Sequence, residues 1–495
     1  MVSRHASSDA SGHIMMNNRT DLFSLAEILH IEDDADVVGR LCPSTGLPVW
    51  PQIRIAYLRA ILSELVYGVE LTGKSSTRAP RSRMLVTLMR SFAHNAFVRD
   101  ARGPASICFF GDGIGNQWID GKWFNRLSDH FIQVRPAETL AVEDHSEWNW
   151  PFPRHCRKVM FHAPIQALNT AASYMRVGRG ERELARALVA RVNERAWHIL
   201  KWAPSPARNA ALVEMLARKT AMMPVQLGAY RRLFQRIRPR LVMVNSGCYG
   251  PAAMLMAAAR EQGITTAEAQ HGAISGGHDA YNFAPAVLRS EAYRNTLPDY
   301  FLSYGNWWSE QINAPVTKLA IGNPHRSARI SLINARPKTD LLVLSDGLDI
   351  ERYLAVVRSI VPHAQEAGLR VVLRPHPLER TQAQALAQLP GQGFVLDQNA
   401  DIYISFSSAR VVVGEMSTGL FEAVGIADEI CMWRTPRSVF SFPTHPFREF
   451  ETVEELATIL EQDQSELPRH VVPGEIWADQ WQQRYNDFLL SKGVD

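Results

Sequence analysis

Two doubly wound α/β lobes in tandem are the fold that the sequence predicts, on three observations. Short apolar runs recur from Ala105 onward, each followed by a Gly-rich or polar turn, with helical patterns between the later ones. After KLAIGNPHRS the same rhythm starts afresh at DLLVLSDG, which marks a second unit. At 495 residues, 46% hydrophobic and 21% charged, the chain is too long for one core and comfortable for two. Apolar strands alternating with helices read as parallel sheets covered on both faces.

The chain opens on MVSRHASSDASGHIMMNNRTD, which is polar, lacks the apolar core of an export signal and is expected to be a disordered lead-in. It belongs to an extension over residues 1–100 with no legible role. A first lobe over residues 101–310 carries the expected strands ASICFFGD, RLVMVNSG, TTAEAQHG and YFLSYG. A second over residues 311–475 runs DLLVLSDG, a helix over residues 350–367, RVVLRPHP, a helix in TQAQALAQL, FVLD, ARVVVGEMS, a helix and EICMW. The lobes join within residues 304–329. Residues 476–495 form an amphipathic terminal helix, in which Trp477, Trp481 and Tyr485 recur every four residues as core packing.

Charge and cysteine usage narrow the partners. Lys and Arg total 53 against 50 Asp and Glu, a net charge of +3 that does not point to nucleic acid. Cys42, Cys108, Cys156, Cys248 and Cys431 form no C-x-x-C pair, so they read as reduced, buried thiols of a cytoplasmic protein. No run of about 18 apolar residues occurs, which leaves only peripheral contact with a membrane. AYRRLFQRIRPR, residues 229–240, sets arginines around Leu233, Phe234 and Ile237 at helical spacing. Both a solvated helix face and contact with a membrane or acidic ligand fit it.

In open α/β sheets ligands collect at the carboxyl ends of strands, and there the chemistry-bearing residues gather. EAQHGAISGGHDAYNF ends a first-lobe strand with His271, Gly272 and His278. A neutral imidazole exchanges protons near working pH, so His271 reads as an acid/base, with a structural histidine as the alternative. Gly276 and Gly277 suggest a mobile loop that carries His278 over a substrate. Arg374-Pro-His376-Pro377 places a guanidinium and an imidazole between φ-fixing prolines, suited to an anion or simply to a rigid turn. GEMSTG offers Ser417, Thr418 and Gly419 as a phosphate cradle, although Ser417 also suits a helix cap. Glu415 and Glu422 would flank that cradle and accept from sugar hydroxyls, Glu422 suiting a solvated helix face equally well.

Taken together, the Q-H-G turn, PDYFLSYGNWWSEQ leading to IGNPH, R-P-H-P and strand-G-E-M-S-T-G-helix resemble GT-B glycosyltransferases, enzymes of two Rossmann-like lobes. The likeness extends over about residues 240–433. It is to the bacterial surface-polysaccharide and capsule branch, with features of Kdo and sialic acid transferases and of CDP-glycerol polymer transferases. The resemblance implies an acceptor-binding first lobe, a donor-binding second lobe, and a terminal helix crossing back to the first. It implies no bound cofactor or metal, a nucleotide-sugar donor such as CMP-Kdo, CMP-sialic acid or a UDP-sugar, and a surface-glycan or lipid-linked acceptor. His376-Pro377 would hold the nucleotide phosphate and aid leaving-group departure, Ser417-Thr418 would hold the same phosphate, and His271-Gly272 would face them. Asp112 in FFGDGIG matches the family's general base, with Gly111 where a first acid is usual. Asp346 and Gly347 in LSDG would line the donor pocket, and Asn323 would mark the crossing and touch the donor. A CDP-glycerol-type phosphotransferase, a nucleotide-sugar epimerase and a non-catalytic polysaccharide-assembly protein are the alternatives. Peripheral contact with the inner membrane or with assembly proteins is a further expectation.

Overall fold

The computed structural model describes residues 23–71, 79–145, 148–334, 336–387, 393–462 and 472–494, so the lead-in at residues 1–21 lies outside the described residues. Two parallel sheets organise the chain. The first contains β1 (Ile107–Gly111), β4 (Thr139–Glu143), β5 (Val159–Phe161), β6 (Leu241–Val244), β7 (Thr265–Ala269), β8 (Tyr300–Ser303) and β9 (Thr317–Ala320), in the order β5-β4-β1-β6-β7-β8-β9. The second contains β10 (Asp340–Leu344), β11 (Arg370–Arg374), β12 (Val395–Leu396), β13 (Ala409–Gly414), β14 (Glu429–Trp433) and β15 (Arg448–Phe450), in the order β12-β11-β10-β13-β14-β15. The remaining strands, β2 (Asn116–Ile119) and β3 (Lys122–Asn125), form an antiparallel ribbon. Strand order reverses direction between β1 and β6 in the first sheet and between β10 and β13 in the second. These are the switch points at which doubly wound folds leave a crevice.

The chain is therefore the tandem of Rossmann-like lobes that defines the GT-B architecture. Strands β2, β3, β4, β5 and β15 go beyond the sequence expectation; β5 and β15 span three residues each, too few to stand out as apolar runs. β9 pairs with β8, so the first sheet extends past residue 310, and KLAI is a strand of the first lobe rather than a linker.

Burial explains why these segments settle as they do. β10 is buried along its whole length, as a strand covered on both faces must be. The helix Ile350–Glu366 lays Ile350, Tyr353, Leu354, Val357, Ile360, Val361 and Ala364 against that sheet at 3.6-residue spacing, capped by Asp349. In the helix Pro206–Ile237, Leu233, Phe234 and Ile237 are buried in the first-lobe core, and Arg231 pairs with Glu261 at 2.5 Å. The arginine-rich stretch at residues 229–240 therefore offers no apolar face to a membrane, and that reading is corrected. All five cysteines are free and buried.

The extension packs into the first-lobe core through Ile28, Trp50, Tyr57, Leu58 and Ile61. Its Arg54 is the main tether. Arg54 Nε and Nη2 donate to Glu32 at 2.6 and 2.8 Å, while Nη1 and Nη2 donate to the carbonyls of Asp279 and Asn282 at 2.6 Å each. At the other end, the terminal segment is not one helix. The short helix Pro473–Ile476 and the helix Trp481–Ser491 are separated by Gln480 in a left-handed conformation, φ 57°. Trp477 consequently packs in the second lobe, donating to the Phe421 carbonyl at 3.1 Å, whereas Tyr485, Phe488 and Leu489 pack under the first sheet.

Candidate active site between the lobes

A cavity of about 320 Å³ lies between the carboxyl ends of the two sheets, lined among others by Arg126, His271, Gly272, Tyr304, Asn323, His325, Asp346, His376, Pro377, Ser417, Thr418 and Glu422. Most of the residues singled out from sequence thus meet in one cleft, contributed by strand ends of both lobes.

The Q-H-G turn is held from its own side chains. Gln270 Nε2 donates to the Gly272 carbonyl at 2.8 Å, and Gln270 Oε1 accepts from the Tyr304 N–H at 2.8 Å. These bonds tie the turn to the next strand and fix His271. A Cβ at Gly272 would approach only Thr418 Oγ1, at 4.0 Å, so the glycine keeps open the space above the cradle. Burial, together with neighbouring His278, Arg126 and Arg59, pushes the His271 imidazole down to about 4. The expectation that it titrates near working pH is therefore corrected: its ring is neutral there.

His278 does not ride a mobile loop. Its Nε2 lies 3.1 Å from Tyr249 Oη, its Nδ1 accepts from the Ala280 N–H at 3.2 Å, and burial lowers it to about 4. Gly277 is pressed against the Phe440–Ser441 backbone of the second lobe, with no room for a Cβ. Ser275 Oγ donates to the Ser441 carbonyl across the same contact. The glycines serve close packing between lobes, which sequence alone cannot tell from flexibility.

On the opposite wall, the His376 N–H donates to Ser345 Oγ at 2.8 Å, and His376 Nδ1 accepts from the Leu378 N–H at 3.3 Å. With Nδ1 accepting, the neutral ring carries its proton at Nε2. The imidazole lies over Gly347, whose φ of 90° suits glycine and where a Cβ would come within 2.6 Å of Nδ1. Ser417 caps the helix Thr418–Glu422 by accepting from the Gly419 N–H at 3.2 Å, and Thr418 Oγ1 accepts from Ala273 N–H across the cleft at 3.3 Å. Gly419 itself is packed against Leu344 and does not line the cavity. Asp346 accepts from the Leu348 N–H at 3.0 Å and from Tyr353 Oη at 3.1 Å. Asn323 caps the helix Pro324–Ile330. Glu422 lines the cavity rather than a solvated face. Burial holds its carboxyl above the ordinary value against the pull of Arg126 and Arg326.

Arg374, expected at the phosphate, and Glu415, expected to flank its cradle and accept from sugar hydroxyls, are elsewhere. Arg374 is locked to Asp397 in a buried ion pair and donates to the Asn399 carbonyl at 3.0 Å, facing β12 rather than the cleft. Glu415 is fully buried against Arg352 and Thr435. The cation that does reach the cleft is Arg126, just after β3. Its guanidinium makes no ion pair or side-chain hydrogen bond among the described residues, and its charge is felt by His271, His325 and Glu422. Among the described residues no group of three or more His, Cys, Asp or Glu side chains is placed to hold a metal ion.

Asp112 lies in a second cavity, of about 1090 Å³, at the switch point of the first sheet. Burial raises its carboxyl above the ordinary value, and its Oδ1 has no hydrogen-bond partner among the described residues, nor have Oδ1 and Nδ2 of Asn245 in the same cavity. Asp144 faces the same space, bound by His162 at 2.9 Å and Gln166 at 2.8 Å, a carboxylate–imidazole pair that sequence reading missed. Tyr249 lines this cavity with its hydroxyl 3.5 Å from His271 Nε2. His271 therefore stands at the partition between the two cavities.

No family model matches the chain, and no curated protein matches it. Among solved structures, the wall teichoic acid polymerase TagF aligns over 84% of this chain and 94% of its own at 11% identity, TM-score 0.38. UDP-GlcNAc 2-epimerase from Methanocaldococcus jannaschii aligns over 78% and 99% at 9% identity, TM-score 0.43. The glycosyltransferase of kitacinnamycin aligns over 79% and 99% at 11% identity, TM-score 0.42. At these identities and scores the likeness concerns the coarse arrangement of elements alone.

Proposed function

We propose that the chain is a glycosyltransferase that moves a sugar from a nucleotide-activated donor, bound in the interlobe cleft, to a hydroxyl presented from the first-lobe cavity. The observation that carries this reading is the position of His271 between a cleft lined by Arg126, His376, Ser417 and Thr418 and a cavity whose inner end holds Asp112 Oδ1 and the Asn245 side-chain amide without hydrogen-bond partners among the described residues. The acceptor oxygen attacks the anomeric carbon as the bond from that carbon to the donor phosphate breaks, and the electron pair leaves on the phosphate oxygen. Charge then grows on the phosphate, where the His376 Nε2–H, the Ser417 and Thr418 hydroxyls and the Arg126 guanidinium can stabilise it. The acceptor proton passes to His271 or Asp112. Glu422 and Asp346 accept from hydroxyls of the donor.

A thermal-shift panel with CMP, CDP, UDP, GDP and dTDP and their common sugar conjugates tests the site, since a ligand of the native state raises the melting temperature by mass action. A shift with one base identifies the donor class. Stoichiometric release of free nucleotide in the presence of acceptor is the expected signature of transfer, and the absence of both a shift and release overturns the reading.

A further inference from the structure

The helix Arg81–Phe97 is inside out. Its polar residues face the protein: Thr87 Oγ1 donates to the Trp148 carbonyl at 2.9 Å, Ser91 Oγ meets His145 Nε2 at 2.9 Å, and His94 Nε2 meets the Val159 carbonyl at 3.0 Å. Asn95 completes the face by bonding both backbone groups of Phe161, at 2.8 and 2.9 Å, which covers the free edge of β5. The other face is apolar and in water, with Leu85, Met89 and Phe92 exposed by 58, 63 and 53% and Phe97 by 86%. An ordinary surface helix turns its apolar stripe inward. Here the stripe is reversed, and a contiguous exposed apolar patch marks an interaction surface. Arg81, Arg83 and Arg90 lie on this helix, exposed and in no ion pair among the described residues. The neighbouring helix Ala163–Met175 adds Leu168 and Met175, 47 and 83% exposed.

The large first-lobe cavity lies beneath both helices, walled by Met84 and Leu88 of one and Ala167 and Ala171 of the other. Its volume exceeds the usual range for pockets that hold a drug-sized ligand, about 300–1,000 Å³. Its inner end, at β1 and β6, carries Asp112 and Asn245, which hold buried atoms without a partner among the described residues. The strand ends place Asp112, Asp144 and Asn245 at the inner end, while the helix side sets Met84, Leu88, Ala167 and Ala171 among Arg81, Asn169 and Thr170, beneath the exposed apolar face outside.

We propose that this face seats on an anionic lipid surface and that the cavity takes a lipid from it head first, with the hydrocarbon chain lying between the two helices. Apolar residues flanked by arginines are the composition of a helix that lies in a membrane interface. A head group held at Asp112 and Asn245 reaches the Tyr249–His271 partition. Calling that lipid the acceptor rests on the transferase reading, whereas its binding does not.

Flotation of the full chain with vesicles tests the face. The chain is expected to float with phosphatidylcholine vesicles containing phosphatidylglycerol and not with phosphatidylcholine alone. Met89→Asp combined with Phe92→Asp should lower binding by more than about tenfold, and each arginine changed to glutamine by about fivefold. The fluorescent fatty acid cis-parinaric acid reports the cavity: uptake should survive the Met89→Asp/Phe92→Asp change, since neither residue lines the cavity, and be lost in Ala167→Trp and in Ala171→Trp, with folding checked by circular dichroism. Failure of the parent chain to bind either vesicle, or uptake unchanged in both tryptophan variants, overturns the proposal. So does concentration-dependent dimerisation that Met89→Asp/Phe92→Asp abolishes in the absence of vesicle binding, because the face would then belong to a second copy. Neither readout requires turnover, so loss of the transferase reading would leave this result standing.

Discussion

Replacing Arg54 with methionine should unfasten the N-terminal extension from the loop that carries His278. Arg54 is 1% exposed and holds Glu32, itself fully buried, through two short bonds, while its guanidinium lies 4.4 Å from the Phe283 ring. Methionine keeps much of the apolar stem but strands the Glu32 carboxylate, which retains Trp50 Nε1–H at 2.7 Å as a donor. Breaking a buried pair from one side costs about 3–5 kcal/mol, because the remaining charge is uncompensated. For a lobe of this size that corresponds to a fall of roughly 10 °C in melting temperature. The loss should appear in calorimetry as a shift of the first-lobe transition, since the second lobe has its own cores. Adding Glu32→Gln removes the stranded charge and should recover about 1–2 kcal/mol, a coupling expected of direct contacts. A single variant that costs less than about 1 kcal/mol, or a double variant no more stable than the single, would refute the reasoning.

Between about 4 and 6.5, His271, His278 and His130 at about 4 and His325 at about 3 stay neutral in the fold but take a proton when unfolded, so they make stability rise with pH. Glu268 at about 7 and Glu143 at about 8, both raised by burial from 4.5, keep protons in the fold that the unfolded chain has released, so they oppose that rise from about 4.5 and leave a decline between about 6.5 and 8, as urea titrations across pH would register. Gly347→Ala, strained at positive φ and crowding His376, should weaken nucleotide binding by at least about tenfold in calorimetric titration while costing about 1–2 kcal/mol of second-lobe stability. Arg126→Ala should weaken binding of a nucleoside diphosphate by about 1.5–3 kcal/mol, the worth of a charged hydrogen bond, and equal affinity would remove Arg126 from the phosphate site. NMR titration of His271 should show its pKa rising by at least about 1 unit when a nucleoside diphosphate fills the cleft, and no change would sever the two.

Much of the cleft was legible because doubly wound folds place function at strand ends, and His271, Asn323, Asp346, His376 and Ser417 all follow strands or open helices there. What escaped was pairing across space. Arg374 reads as a free cation beside His376 until β12 brings Asp397 against it, and Glu415 reads as a ligand until Thr435 and Arg352 surround it. Arg126 follows a two-stranded ribbon whose Asp120-Gly121 turn signals a hairpin, but a hairpin signal does not set the arginine after it apart from others. The extension was opaque for a related reason: its contribution is a buried ion pair reaching two carbonyls more than two hundred residues away. The exposed apolar face of the helix Arg81–Phe97 was present in the sequence as periodicity, yet periodicity alone assigns such a stripe to the core.

The low pKa of His271 bears on how the cleft would work. Burial and the nearby groups His278, Arg126 and Arg59 disfavour the imidazolium, and a base at about 4 is too weak to draw a proton from a hydroxyl at neutral pH. The same cations are the groups that a donor's phosphates would meet. An opposite charge within a few ångströms of a titrating group moves its pKa by about 1–3 units, so phosphates neutralising Arg126 and facing His271 would raise the imidazole toward the working range. Burial alone would not respond to the donor, but the electrostatic share of the shift would. Basicity would then appear only when a donor is in place, and an acceptor hydroxyl entering from the first-lobe cavity would meet an inert ring in the absence of donor. On this account the arginine that binds the phosphate also suppresses the base until it does so, and Arg126→Ala should raise the His271 pKa in the free protein while lowering affinity for the donor.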